Sequence, residues 1–453
     1  MNRVRAIVEG AAMAACRPAP RYVLSAMQWT DVARETLPLL AAWADTAQVF
    51  ALYGDTAADQ AILVSVDVDA GFYPALSPHH PDAGLYERAI RDLWGHAAAG
   101  GDDGSWLDHG HWPHTRPLAL RPGPRPPTAE PPEFQTVAGN ALMQWPIGPV
   151  GPGIGEAHHL RLTLDGTRIV RAESRLGYTH KGALTLMRAK SPRVAARFAA
   201  RLAGDSTVAH SIAFAAATEA AMAIEAPPRA VGLRAMMGAL ERIATHLDDL
   251  GTLAGMAGSI QAHGRCGVRQ EYLRRGLEAA FGHRLMMDCV VPGGVAGDAD
   301  ANGLSALRQV LAALRAELPV MRGLFGSGAL SARLTGLGVV PGAGDAAARC
   351  RTRLDAVDRD IDAVIALLSD LPEGPLSVAL PPLSGEGVGM ARSARGDVWH
   401  WLRLDHGQIA AAFPRDPGWA LWPLAERVLV GAEASDAATI CCSLGLPASG
   451  MDL

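Results

Sequence analysis

Arg201, Asp205, Ser206, Thr207, His210 and Ser211 fall within a stretch otherwise built largely of alanine. Polar groups buried in such a stretch need partners. These residues therefore mark either a polar network inside a helical core or a functional site. Arg201 and Asp205, four apart, can pair on one helical face, and that pairing would hold the carboxylate ionised. Ser206 with His210, and Thr207 with Ser211, repeat the spacing. Upstream, Leu176-Gly-Tyr-Thr-His-Lys-Gly182 puts His180 on a glycine-flanked loop. An imidazole there can reach into a cavity and exchange protons near neutral pH; an ordinary turn histidine is the alternative. His109, His111 and His114 have a spacing that could suit a metal, but no cysteine accompanies them, and a solvated loop is the simpler account. The six cysteines (Cys16, Cys266, Cys289, Cys350, Cys441 and Cys442) include no Cys-x-x-Cys pair. They offer no disulfide framework and no zinc or iron–sulfur signature, and a reducing compartment fits them. The glycine-rich run from Gly148 to Gly155 contains prolines and lacks Gly-Lys-Ser/Thr, which argues against a phosphate-cradling loop.

Several elements must position these residues. Strand-like runs at Gln48 to Tyr53 and Ala61 to Val68, then a helical stretch from Gly84 to Gly95, describe a small α/β module over residues 1–118. Eight prolines between 113 and 132 mark a linker, bounded at 119–139. The second domain, 140–453, has an Asp165-Gly166 hairpin between runs His159 to Leu164 and Thr167 to Ala172. Helices follow. Ser191 to Ile224 reads as one long alanine-rich helix. Arg229 to Gly258 is amphipathic, with Leu233, Met237, Leu240, Ala244, Leu247 and Gly251 on one face. Arg269 to Phe281, Leu304 to Leu324 and Asp345 to Leu371 come next, with Pro319 expected to kink or end the second of them. Asp416-Pro417 reads as an N-cap followed by a first helical position.

Composition bounds the function. The chain has 453 residues, 49% hydrophobic and only 19% charged, so part of its surface is expected to face a partner. Its 46 acidic and 41 basic residues give a net charge of −5. No basic block stands out, and nucleic-acid binding is not expected. The short N-terminal apolar run is interrupted by Glu9, which does not fit a signal peptide. No apolar stretch is long enough to span a bilayer.

Taken in order, the motifs resemble a known family: the large subunit shared by energy-converting, formate-hydrogenlyase-type nickel–iron hydrogenases and respiratory complex I (NADH-quinone oxidoreductase), where it forms the quinone site. Gly148 to His158 is similar to the opening loop of that domain. The 176–182 loop resembles its Gly-Tyr-x-His-Arg-Gly loop. Glu225 to Asp249 resembles its central helix pair, Val291-Pro-Gly-Gly294 its following turn, and Arg415-Asp-Pro-Gly-Trp419 with Trp422-Pro423 its near-terminal segment. The N-terminal module, with Glu87 to Trp94, looks like a degenerate copy of the complex I subunit often fused ahead of this domain.

The resemblance implies an α+β fold: a mainly helical bundle core with small peripheral sheets, preceded by a small α/β module. It also implies a site. Hydrogenases of the family hold nickel and iron with two Cys-x-x-Cys pairs. The first falls here on Arg201-Leu-Ala-Gly-Asp-Ser206, with Ala203 and Ser206 at the thiolate positions, and Cys441-Cys442 near the end lacks the spacing of the second. No nickel–iron centre and no other metal is therefore expected. In complex I the corresponding cavity takes a quinone. His180 matches its loop histidine, and Gly204 stands where it has a tyrosine. The implied cavity is lined by His180, Arg201, Gly204, Asp205, Ser206 and His210. The implied role is a cytoplasmic-face, membrane-peripheral oxidoreductase subunit beside a small iron–sulfur subunit and membrane antiporter-like subunits. A structural or coupling subunit with a vestigial cavity is the alternative.

Overall fold

The computed structural model describes residues 3–55, 60–102, 104–125, 134–135, 142–151 and 154–453. The proline pairs at 126–127 and 131–132, and with them most of the expected linker, lie outside the described residues.

Four helices, Pro228–Met256, Ile260–Phe281, Ala301–Gly326 and Ala346–Ser369, close into a bundle in which each packs on two neighbours. Leu240, Ile243, Leu247, Leu273, Leu311, Leu354 and Val357 fill its core. Asp345 caps the last of these helices, its carboxylate accepting Ala348 N–H at 2.8 Å. Pro319 does not end its helix, which runs on to Gly326. The proline lies on the exposed face, where the carbonyl it leaves without a partner can turn to water.

The single helix expected over 191–224 is two: Pro192–Ala199 and Thr207–Met222. Residues 200–206 between them are not regular helix, and Gly204 sits at the break. The second helix is buried on nearly every side. It lies directly on the backbone of strand Gly385–Arg392, with Ala213, Ala217 and Ala221 opposite Gly389, Gly387 and Gly385. Alanine at every fourth helical position and glycine at every second strand position let two backbones touch.

That strand belongs to an antiparallel sheet with Asp397–Asp405 and Gln408–Arg415, in register Val388↔Trp401↔Phe413. Strands Leu142–Ile147, His159–Asp165 and Arg168–Arg175 form a second antiparallel sheet, which carries the expected Asp165-Gly166 hairpin. The N-terminal module is a five-stranded sheet in the order Ala12–Ala14, Arg21–Leu24, Gln60–Asp67, Gln48–Asp55, Leu39–Ala44, with helix Ala83–Trp94 packed on it. It shares one core with the C-terminal part of the chain. Trp43 stacks on Phe413 at 5.4 Å, Phe50 meets Trp401 at 4.8 Å and Tyr86 stacks on Trp419 at 4.4 Å. Arg21 and Glu386 form a buried ion pair across the same seam at 2.8 Å. Among the described residues no helix is long and apolar enough to cross a membrane.

Candidate functional site

The 176–182 loop is held by the buried segment 446–453. Asp452 accepts the N–H groups of Gly177 and Thr179, both at 2.7 Å, and the Thr179 hydroxyl at 2.5 Å. Gly177 has φ +95°, and a Cβ on it would lie 2.8 Å from the Leu107 carbonyl oxygen, so the position admits only glycine. His180 Nδ1 sits 2.5 Å from the Asp452 carbonyl oxygen. An acceptor there fixes the proton on Nδ1 and leaves Nε2 as the free nitrogen. Burial pulls His180 below the usual imidazole range, against the opposing pull of that carbonyl. Lys181 Nζ donates to the carbonyls of Leu202, at 3.2 Å, and Ser449, at 3.4 Å. The loop, the 201–206 stretch and the 446–453 segment thus converge.

His180 lines a cavity of about 440 Å³ with His111, Trp112, Pro113, His114 and Leu186. The Trp112 ring lies 4.4 Å from its imidazole. His111 and His114, expected on a solvated loop, face this space. His109 instead bonds the Leu176 carbonyl and meets Tyr178 edge-on.

A second cavity, of about 350 Å³, lies at the break between the two alanine-rich helices. Gly204, Asp205, Glu156, Glu241, Asp248, Arg395 and Pro447 are among its walls. The expected Arg201–Asp205 pair does not form. The helix ends at Ala199, so the four-residue spacing no longer aligns the two side chains. Arg201 turns outward to a bidentate pair with Asp288 at 2.7 and 2.8 Å. Asp205 pairs with Arg395 at 2.9 Å, and Arg395 continues to Asp249, which Arg353 also holds at 3.0 Å. Burial works to raise Asp249, and the two guanidinium groups outweigh it and keep the carboxylate below its usual range. Ser206 is buried, with its hydroxyl on Asp205 Oδ1 at 3.2 Å. The Thr207 and Ser211 hydroxyls return to the carbonyls of Ala203 and Thr207, so the expected side-chain pairs are backbone bonds.

Glu241 supplies what the break would otherwise leave unmade. Its carboxyl accepts the first free amides of helix Thr207–Met222, Val208 N–H at 2.5 Å and Ala209 N–H at 3.0 Å. Burial pushes it up to about 8, with Asp205 adding to the rise and the two amides opposing it. Unfolded, the group titrates near 4.5. Between 4.5 and 8 the native state therefore binds a proton the unfolded state has lost, and stability falls as pH rises through that window. The full effect is on the order of 5 kcal/mol. In Glu241→Gln the pH slope of the melting temperature over this range should flatten, although the variant is less stable overall because its amide NH₂ faces a backbone N–H. An unchanged slope in thermal denaturation would remove Glu241 as its source.

His210 occupies neither cavity. It is fully buried, with Nε2 3.0 Å from Asp416 Oδ2 and Nδ1 3.0 Å from His400 Nε2. The carboxylate requires a proton on His210 Nε2. Burial, then His210, hold His400 well below the usual range, so it is neutral. Asp416 Oδ1 accepts Gly418 N–H at 2.7 Å at the start of helix Gly418–Leu429, one residue later than the expected cap. This chain of bonds ties three elements together inside the core.

The structure therefore brings Gly204 and Asp205 to one cavity and His180, with Lys181, to another. Glu156, Glu241, Asp249, Arg395 and Asp452 were missed in the sequence. Glu241, Thr245, His246 and Asp249 did carry a signal: polar types set among the apolar face of one amphipathic helix. Asp452 carried none.

No family model matches the chain. Formate hydrogenlyase subunit 5 of Escherichia coli is 27% identical to it, over 84% of this chain and 78% of that protein. The membrane-bound hydrogenase subunit alpha of Pyrococcus furiosus is 25% identical, over 66% and 84%. A subunit of the NADH-quinone oxidoreductase of Salinispora tropica is 31% identical over 44% of this chain and 52% of its own length. Among solved structures, a chain of the membrane-bound sulfane sulfur reductase, an archaeal respiratory membrane complex, superposes with a TM-score of 0.64 at 20% identity, covering 70% of this chain and all of that one. With its α+β bundle and its ordered motifs, the chain is homologous to these large subunits of membrane-bound hydrogenases and of NADH-quinone oxidoreductases.

Proposed function

We propose that this chain is the large subunit of a membrane-associated oxidoreductase complex and that it binds a quinone-like acceptor rather than a nickel–iron centre. The residues do not fit such a centre. Ala203 offers a methyl group, the Ser206 hydroxyl is engaged by Asp205, and burial pushes the Cys441 and Cys442 thiols up to about 12, far from the thiolate a soft metal needs. The observation that carries the reading is His180, fixed by the Asp452 carbonyl with Nε2 free on the wall of a 440 Å³ cavity faced by Trp112 and prolines. Such a space suits a flat, mostly apolar head group. Reducing a quinone takes two electrons and two protons. Electrons would come from an iron–sulfur cluster in a small partner subunit. Nε2, protonated, would donate to a quinone oxygen and be reloaded after transfer. His180 and Asp205 are the chain's candidate proton carriers. Membrane antiporter-like partners would hold the chain peripherally on the inner face of the membrane.

The test is quinone reduction by the purified assembled complex. His180→Ala should lower turnover by roughly 10²–10⁴-fold with assembly intact; adding Asp205→Ala should lower it no less. Unchanged turnover in both variants would favour a structural or coupling subunit, and a wild-type complex that neither reduces nor binds a quinone would end the reading.

A further inference from the structure

The net charge of −5 conceals a strongly uneven distribution. From Leu176 to Gly204 there is no aspartate or glutamate, while Lys181, Arg188, Lys190, Arg193, Arg197 and Arg201 all fall there, including both lysines of the chain. The fold turns this stretch outward. Residues 188–191 are exposed without interruption, and helix Pro192–Ala199 buries Pro192, Ala195, Ala196 and Ala199 while Arg193, Val194 and Arg197 face solvent. Arg201 is taken by Asp288. Arg188, Lys190, Arg193 and Arg197 form no ion pair with any described residue. The acids nearby are engaged: Asp45 by Arg403, and Asp405, at the adjoining hairpin, by Ser384. Two aliphatic side chains stand among the cations, Leu186 and Val194, each 46% exposed. Leu186 also lines the cavity of His180, so the patch adjoins that cavity.

We infer that residues 185–197 form a surface that rests directly on an anionic lipid bilayer. Unpaired cations interleaved with exposed aliphatic side chains across two short helices, Ala183–Met187 and Pro192–Ala199, and the turn between them match the two requirements of an anionic lipid interface: charge for the head groups and apolar contact for the acyl boundary. An acidic protein surface would match the charge but would leave Leu186 and Val194 unused. The inference goes beyond the proposed function, because it holds whether or not the adjoining cavity takes a quinone.

The full chain, mixed with phosphatidylcholine vesicles with and without phosphatidylglycerol, should bind only the anionic ones and release as salt rises. Replacing Arg188, Lys190, Arg193 and Arg197 by glutamine should weaken binding by about a hundredfold or more, at roughly fivefold per cation, with an unchanged melting temperature. The pair Arg351→Gln and Arg359→Gln, exposed cations on helix Ala346–Ser369, should leave binding unchanged, and Val194→Gln should weaken it several-fold. Absence of binding by the full chain, or equal loss in the Arg351 and Arg359 control, overturns the inference. So does salt-sensitive association with a membrane partner subunit, lost in the fourfold variant, when vesicles are not bound; the patch then belongs to an acidic protein. Quinone turnover is not read in this assay, so its outcome is separate from that of the proposed function.

Discussion

Gly389→Ala is expected to prevent stable folding through one added methyl group. A Cβ on Gly389 would lie 2.3 Å from both the Ala213 carbonyl oxygen and the Ala217 nitrogen. These are backbone atoms of a helix packed on its other sides, so nothing flexible can yield. The strand and helix Thr207–Met222 would have to separate. That would open the contacts of Ala213 and Ala217 and pull on His210, one turn before, out of its bonds to His400 and Asp416. Gly387 meets the same barrier, with the Ala217 carbonyl oxygen 2.2 Å from its Cβ position. Overpacking typically costs about 1–3 kcal/mol, and more where the neighbours cannot yield; with rigid backbone on both sides the cost should exceed that range and take a large share of a domain's total stability. Gly323→Ala is the internal comparison. It lies within helix Ala301–Gly326 with open space at its Cβ position, and the change should stabilise by about 0.5–1 kcal/mol. Soluble yield and thermal denaturation of the full chain decide the matter, and equal melting temperatures for wild type and Gly389→Ala would refute the backbone contact.

Arg395→Met should cost about 3–5 kcal/mol, for an electrostatic reason. Arg395 joins Asp205 and Asp249, and it draws its charge stabilisation from both. Methionine keeps much of the volume but leaves Asp205 without a cation and Asp249 with Arg353 alone. The pH dependence separates this loss from a packing defect. In the wild type the depressed Asp249 contributes stability above its unfolded value of 3.8, lost as pH falls through the lower folded value. In the variant, burial of Asp249 is opposed by fewer cations, its carboxyl rises, and protonation relieves the unpaired charge. The deficit relative to wild type should therefore shrink as pH falls from about 8 towards 5. Adding Asp205→Asn to Arg395→Met should recover part of it. A deficit constant across that range, measured by chemical denaturation, would mean that lost packing alone explains the variant.

Much of the fold was legible because its signals are local. The Asp165-Gly166 turn and the amphipathic period from Leu233 to Gly251 each act within a few residues, and the ordered motifs were enough to point to the chain's homologues. The absence of Cys-x-x-Cys was equally plain, since a ligand type is a property of the residue itself. Spacing failed where a helix had to be continuous. Arg201 and Asp205 are neighbours only on an unbroken helix, and the break at 200–206 sends one to Asp288 and the other to Arg395. That break is stabilised from outside by Glu241, whose carboxyl meets the free amides of Val208 and Ala209 from another helix. Asp452 lies more than 270 residues from the loop it orders. Sequence determined which chemical groups the chain has and the periods that make helices and strands. Tertiary structure alone decided which carboxylate meets which cation and which imidazole nitrogen stays free, because those pairings depend on distances between elements that no local pattern encodes.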